Sequence, residues 1–118
     1  MKFTSSLKKN HEFKRLYNKG KNAATQCVVV YCRRNGSAAN RLGVTVSTKI
    51  GGAVQRNLVR RRIKEIYRLN EHSLPAGYDI VIVARVRSRY AHYREIEASV
   101  MSAFRKLSLV QGIVPSVR

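Results

Sequence analysis

Apolar residues recur along this chain with three different spacings, and each spacing predicts an element. From about Leu7 to Lys19, Phe13, Leu16 and Tyr17 fall at i, i+3 and i+4, one face of a helix, and Gly20 supplies its stop. From Gln26 to Arg33 the run Cys-Val-Val-Val-Tyr-Cys is β-branched and aromatic, which favours a strand, and Asn35-Gly36-Ser37 is turn chemistry. A second strand fits Arg41 to Thr48, with Leu42, Val44 and Val46 facing one way and Gly43, Thr45 and Ser47 the other. Together these two strands read as a hairpin with one polar face. After Gly51-Gly52 a helix opens at about Ala53 and runs to about Asn70, with Val59, Ile63 and Ile66 on one side and Tyr67 at its edge. Pro75-Ala76-Gly77 turns the chain, and Asp79 to Ala84 is apolar without alternation, as expected of a central strand covered on both faces. Finally Ile96, Val100, Ala103, Phe104 and Leu107 mark an amphipathic helix over His92 to Leu107, and the tail from about residue 108 has no period and is expected to fray. The order is α-β-β-α-β-α. It predicts a single small α+β domain over residues 1–118, a sheet packed with helices, without repeats or linkers.

Charge changes this picture most. The chain has 118 residues, of which 24 are Lys or Arg and 6 are Asp or Glu, a formal net charge of +18. Such a surplus opposes compaction by self-repulsion, so a polyanionic partner is the simplest reason for it, nucleic acid ahead of an acidic membrane surface. No apolar run approaches the roughly 18 residues of a membrane span. The N-terminus lacks the apolar stretch of a secretory signal, so a soluble, cytoplasmic protein is expected. Cys27 and Cys32, five apart in the first strand, are expected on opposite faces, too far apart for a disulfide, as small buried thiols. Neither they nor His11, His72 and His92 have metal-ligand spacing.

The cations concentrate on the second helix. Opposite its apolar side stand Arg56, Asn57, Arg60, Arg61, Lys64 and Arg68, and Lys49 precedes it; Glu65 is the lone acid between Lys49 and Arg68. Arg56, Arg60 and Lys64 repeat a destabilising like-charge i, i+4 contact, which a phosphate backbone would relieve. The competing reading is a solvated face. A second surface follows from the first strand: if the long helices cover the face of Val28, Val30 and Cys32, then Tyr31 is left on an open surface with Phe13 and Tyr17. Aromatics in a basic protein suit single-stranded RNA through base stacking, although Phe13, Leu16 and Tyr17 at helical spacing are by that spacing alone more often core. Gly51-Gly52 is not followed by Gly-Lys-Ser/Thr, so it is not a nucleotide-binding loop. The six carboxylates form no acid/base pair by spacing, which agrees with a non-catalytic protein. A general RNA-binding protein of the ribosomal kind, an intrinsic protein nuclease and a membrane-surface protein are the alternatives.

The segment Lys49-Ile-Gly-Gly-Ala-Val-Gln-Arg-Asn-Leu-Val-Arg-Arg-Arg-Ile-Lys-Glu-Ile-Tyr-Arg68 closely resembles the signature of the bacterial ribonuclease P protein subunit. The resemblance extends to Leu7–Phe13, to the strand ending at Tyr31, to Arg41–Ser47 and to the strand at Asp79–Arg85. It implies an accessory subunit with no catalytic residue of its own: the RNA subunit of that enzyme performs Mg²⁺-dependent removal of the 5′ leader from precursor tRNA. The partners it implies are the catalytic RNA and precursor tRNA, with no obligate protein partner and no membrane. By matching positions Lys49, Arg56, Asn57, Arg60, Arg61 and Lys64 would contact the catalytic RNA, with Arg68 joining them from the charged side of the helix, and Phe13, Tyr17, Val29, Tyr31 and Thr45 would line the leader cleft. Metal ligands in the chain are not implied. Two departures from the signature, Leu58 for an arginine and Arg62 for an apolar residue, blur the edge of the RNA-binding face. The family also implies a ribosomal protein S5 domain 2-like fold with a left-handed β-α-β crossover, where parallel strands would by default give a right-handed one.

Overall fold

The computed structural model describes residues 4–109; the expectation of a fraying tail falls almost wholly outside them. The elements are β1 (Thr4–Ser6), α1 (Asn10–Lys19), β2 (Lys21–Ala24), β3 (Val28–Arg34), β4 (Asn40–Thr45), α2 (Ala53–Asn70), β5 (Tyr78–Ala84) and α3 (Tyr93–Lys106). Short 3-10 turns occupy Thr48–Ile50, Glu71–Ser73 and Val86–Arg89. The five strands form one mixed sheet in the order β1-β4-β5-β3-β2. β5 is central, as its apolar run requires: Ile80 and Ile82 face the main core and Val81 the opposite side, and all three are fully buried. α2 and α3 close the first face, where Val59, Ile63, Ile66, Tyr67, Ile96, Val100 and Phe104 meet Val28, Val30 and Leu42. α1 lies over the other face, its Leu16 packed with Leu7 and Val81.

The expected hairpin does not form. β3 and β4 never pair; β5 lies between them, antiparallel to β3 and parallel to β4. Strands separated by a third stand about 10 Å apart, beyond the reach of a two-residue turn. The Asn35–Ala39 loop instead crosses the start of β5. The Asn35 backbone N–H donates to the Gly77 carbonyl, and its side-chain amide donates to Asp79 Oδ1 and to the Ala39 carbonyl. Leu7 also lies outside α1, in extended chain whose N–H donates to the Leu42 carbonyl. The second strand ends at Thr45, short of Thr48, which lies in a 3-10 turn.

Cys27 and Cys32 are free and buried, but in one core, not on opposite faces. Cys27 precedes β3, and its N–H donates to Ser99 Oγ, so the strict alternation that separates strand residues does not apply to it. Burial pushes the Cys32 thiol up, with a smaller opposing pull from Lys21. Because both thiols are buried away from reagent, alkylation of the folded protein at neutral pH is expected to leave both cysteines unmodified, whereas in denaturant both are modified. Mass spectrometry of the alkylated protein checks this, and modification of either cysteine without denaturant would contradict the packing.

Candidate nucleic-acid interface

The outer face of the sheet is built from alternate residues of its three central strands. Val29, Val83 and Thr45 stand in one row across β3, β5 and β4; Tyr31, Val81 and Gly43 form the next, and Arg33, Asp79 and Arg41 the third. α1 is fastened along β4 by three successive contacts. Arg41 bridges Glu12 and Asp79, with Nε and Nη2 donating to the two Asp79 oxygens at 2.8 and 2.7 Å. Hydrogen bonding to Asp79 and Glu12 holds the Arg41 guanidinium well above its ordinary pKa, against the opposing effect of burial. Phe13 lies on Gly43, and the Tyr17 hydroxyl is 3.3 Å from Thr45 Oγ1.

The helix therefore covers the Arg41 and Gly43 rows and leaves the Thr45 row open. Phe13, Tyr17, Val29, Tyr31 and Thr45 are brought together, none of them fully buried. Tyr17 and Tyr31 meet edge to face with ring centroids 4.9 Å apart, and Phe13 is 6.5 Å from Tyr17. Val83 belongs with them, half-buried between Val29 and Thr45. The apolar run of β5 concealed it; alternation from Asp79 through Val81 to Val83 would have placed it on this face.

Gly43 sets the depth of this floor. A Cβ there would stand 2.6 Å from Phe13 Cε1 and Cζ. Gly43→Ala is therefore expected to push the Phe13 ring out and loosen α1 at a cost of about 1–3 kcal/mol, as overpacking usually does. Thermal unfolding reads this as a lower Tm, and an unchanged Tm would mean that the ring does not rest on the glycine.

On α2 the apolar side is buried and the cations lie outside, though not evenly. Asn57, Arg61, Lys64 and Arg68 are exposed, as is Lys49 in the preceding 3-10 turn. Arg56 is not opposite the core: it is half-buried on the flank, its Nη1 donating to the Gly51 carbonyl at 2.8 Å. Three residues from Val59 is almost one turn, which returns Arg56 towards the apolar side. Arg60 is half-buried and donates to Asn57 Oδ1 at 2.9 Å. Arg68 holds Glu65 through two hydrogen bonds of 3.0 and 2.7 Å, which keep the carboxyl below its ordinary pKa. Among the described residues no ion pair engages Lys49, Arg56, Arg60, Arg61 or Lys64. Leu58 is 39% exposed and Arg62 half-buried, so these departures flank the stripe without interrupting it.

No three His, Cys, Asp or Glu side chains gather among the described residues in a way that could hold a metal ion. Glu12 and Asp79 do converge, but the point they share is the Arg41 guanidinium, so this arrangement does not fit Mg²⁺. No helix in the described residues is long and apolar enough to cross a membrane.

Comparison with known proteins identifies the family. Residues 1–108 match the family model described as Ribonuclease P. The ribonuclease P protein component of Alkaliphilus oremlandii is 40% identical over 114 residues, covering 97% of this chain and all of that protein. The Clostridioides difficile protein component is 41% identical, over 90% of this chain and 94% of its own. In three dimensions the ribonuclease P protein of Staphylococcus aureus superposes with a TM-score of 0.83 at 31% identity, covering 90% of this chain and 97% of the other. That of Thermotoga maritima does so with a TM-score of 0.75 at 28% identity, covering 83% and 93%. The chain thus belongs to the ribonuclease P protein family and is an accessory protein component of that tRNA-processing endoribonuclease.

Proposed function

We propose that the exposed face of α2 docks on the catalytic RNA of ribonuclease P while the aromatic cleft beneath α1 holds the 5′ leader of precursor tRNA. The observation that carries this reading is the pairing of two different RNA-compatible surfaces over opposite faces of one sheet. One is the row of Arg60, Arg61 and Lys64 on α2, without ion-pair partners among the described residues, the other a floor of half-buried Tyr31, Val29 and Val83 walled by Phe13 and Tyr17. A cation row contributes affinity by releasing counterions from phosphates and reads no sequence. Stacking aromatics accept unpaired bases of any sequence, which suits leaders that differ from one tRNA to another.

Bound to both RNAs at once, the protein raises the effective concentration of substrate at the catalytic RNA and screens the repulsion between two polyanions. Mg²⁺ is required by the RNA-containing enzyme, and the described residues gather no ligand set for it; the chain's part is to bind and orient. The site of action is the cytoplasm, where precursor tRNA is made. Cleavage of a leader-bearing precursor tRNA at low Mg²⁺, by a bacterial catalytic RNA with and without this protein and by the protein alone, tests the reading. Cleavage only when RNA and protein are both present is expected. Equal cleavage without the protein, or cleavage in the protein-only lane, would overturn it.

A further inference from the structure

Beyond α2, the chain carries an exposed aromatic that the core does not explain. Tyr90, at the end of the Val86–Arg89 turn, is 73% exposed, and the Arg89 guanidinium lies over its ring with Cζ 5.4 Å from the centroid. That guanidinium also approaches Gly51: a Cβ there would lie 3.3 Å from Arg89 Nη1. Gly51 also receives Arg56, whose Nη1 donates to its carbonyl. Arg56, Gly51, Arg89 and Tyr90 therefore form a continuous strip leading off the first turns of α2. Its two guanidinium groups are drawn to one glycine, and among the described residues neither has an ion-pair partner. The carboxylate of Glu95, in the recess beside Tyr90, is held by the His92 backbone N–H.

We propose that Arg89 and Tyr90 form a stacking site for an unpaired nucleotide of the same structured RNA that α2 grips, extending that interface beyond the helix. Arg89 covers one face of the Tyr90 ring and the ring's high exposure leaves the other open, so a base can complete a sandwich. The guanidinium has N–H groups to donate to the adjoining phosphate. The base must be unpaired, because a base inside a duplex is already stacked on both sides. Continuity with α2 favours the catalytic RNA over other polyanions, so the inference rests on the reading of α2 given above.

Titration of the catalytic RNA alone, at several salt concentrations, with the full chain and four variants tests it. Tyr90→Ala is expected to weaken binding about 5- to 150-fold without changing the salt slope, and Tyr90→Phe to bind as the unsubstituted protein does. Arg89→Ala is expected to weaken binding and lower the slope by about one charge. The double variant Arg61→Ala/Lys64→Ala reports on α2 independently. If it weakens binding while Tyr90→Ala does not, the stacking site is overturned and the α2 reading stands. If neither weakens binding, the α2 reading itself fails. Equal losses in Tyr90→Ala and Tyr90→Phe would mean that the hydroxyl acts and the ring does not, which also overturns stacking.

Discussion

Tyr31→Ala is expected to weaken binding of a leader-bearing precursor tRNA to the protein–RNA complex about 5- to 150-fold, the worth of one stacked base. Affinity for mature tRNA should stay within about twofold, since mature tRNA has no leader to enter the cleft. Tyr31 is the residue on which the surface depends: it is half-buried beside Val81 and Val83, and its ring meets that of Tyr17 in a T-shaped pair. Removing it takes away both a stacking surface and a ring against which Tyr17 packs. Tyr17, at 40% exposure, gives the cleaner companion experiment. Tyr17→Ala should show the same selective loss with little change in Tm. Tyr17→Phe, which lacks only the hydroxyl near Thr45, should retain most of the leader affinity. The measurement is the ratio of dissociation constants for precursor and mature tRNA. Parallel losses for both RNAs would remove the leader from this face and leave the aromatics as core.

Why that face was visible in the sequence and other features were not follows from how far apart the interacting residues lie. The limits of α2 at Ala53 and Asn70 follow from a long apolar period with Gly52 before it, a signal wholly local to the helix. The central place of β5 follows from the absence of alternation in Tyr78–Ala84, because a strand covered on both faces has no polar side. β1 and β2 carry no such signal. Thr4–Ser6 and Lys21–Ala24 are short, mostly polar or small edge segments that become strands because Asn40–Leu42 and Val29–Cys32 offer them free backbone groups. The false hairpin has the same origin. Asn35-Gly36-Ser37 is good turn chemistry, but whether β3 and β4 pair depends on β5, more than 30 residues further on, inserting between them. Within the site, Phe13, Tyr17 and Tyr31 are legible by residue type. The Arg41 bridge that holds α1 to the sheet joins residues 29 and 38 positions apart, beyond any periodicity.

The cation stripe makes the sharpest demand, because it predicts opposite effects on stability and binding. In the triple variant Arg60→Ala/Arg61→Ala/Lys64→Ala, three charges that form no ion pair among the described residues are removed from the outer side of α2, where Arg61 and Lys64 are exposed and Arg60 is half-buried with one hydrogen bond to Asn57. The fold should not suffer. Arg60 and Lys64 repel at i, i+4, and alanine is the better helix former, so Tm should hold or rise slightly, by the equivalent of a few tenths of a kcal/mol. Binding to the catalytic RNA should fall. Each neutralised phosphate adds about 0.7–0.9 to the slope of log affinity against log salt, so the slope should drop by about 2–3. Three such contacts alone make the unsubstituted protein lose about 20- to 40-fold in affinity on a fourfold rise in salt, and the variant should be spared that loss. Replacing both arginines by lysine should keep the slope, since point charge rather than fork geometry sets counterion release. Arg56 is left out deliberately, because its guanidinium closes the Gly51 turn and its loss would mix folding with binding. A triple variant with unchanged slope would leave α2 as a solvated face and require another surface of this +18 chain to meet its RNA. A variant of undiminished Tm with a flattened slope would show that the row of repelling cations, costly to the isolated helix, is maintained by the phosphates it meets.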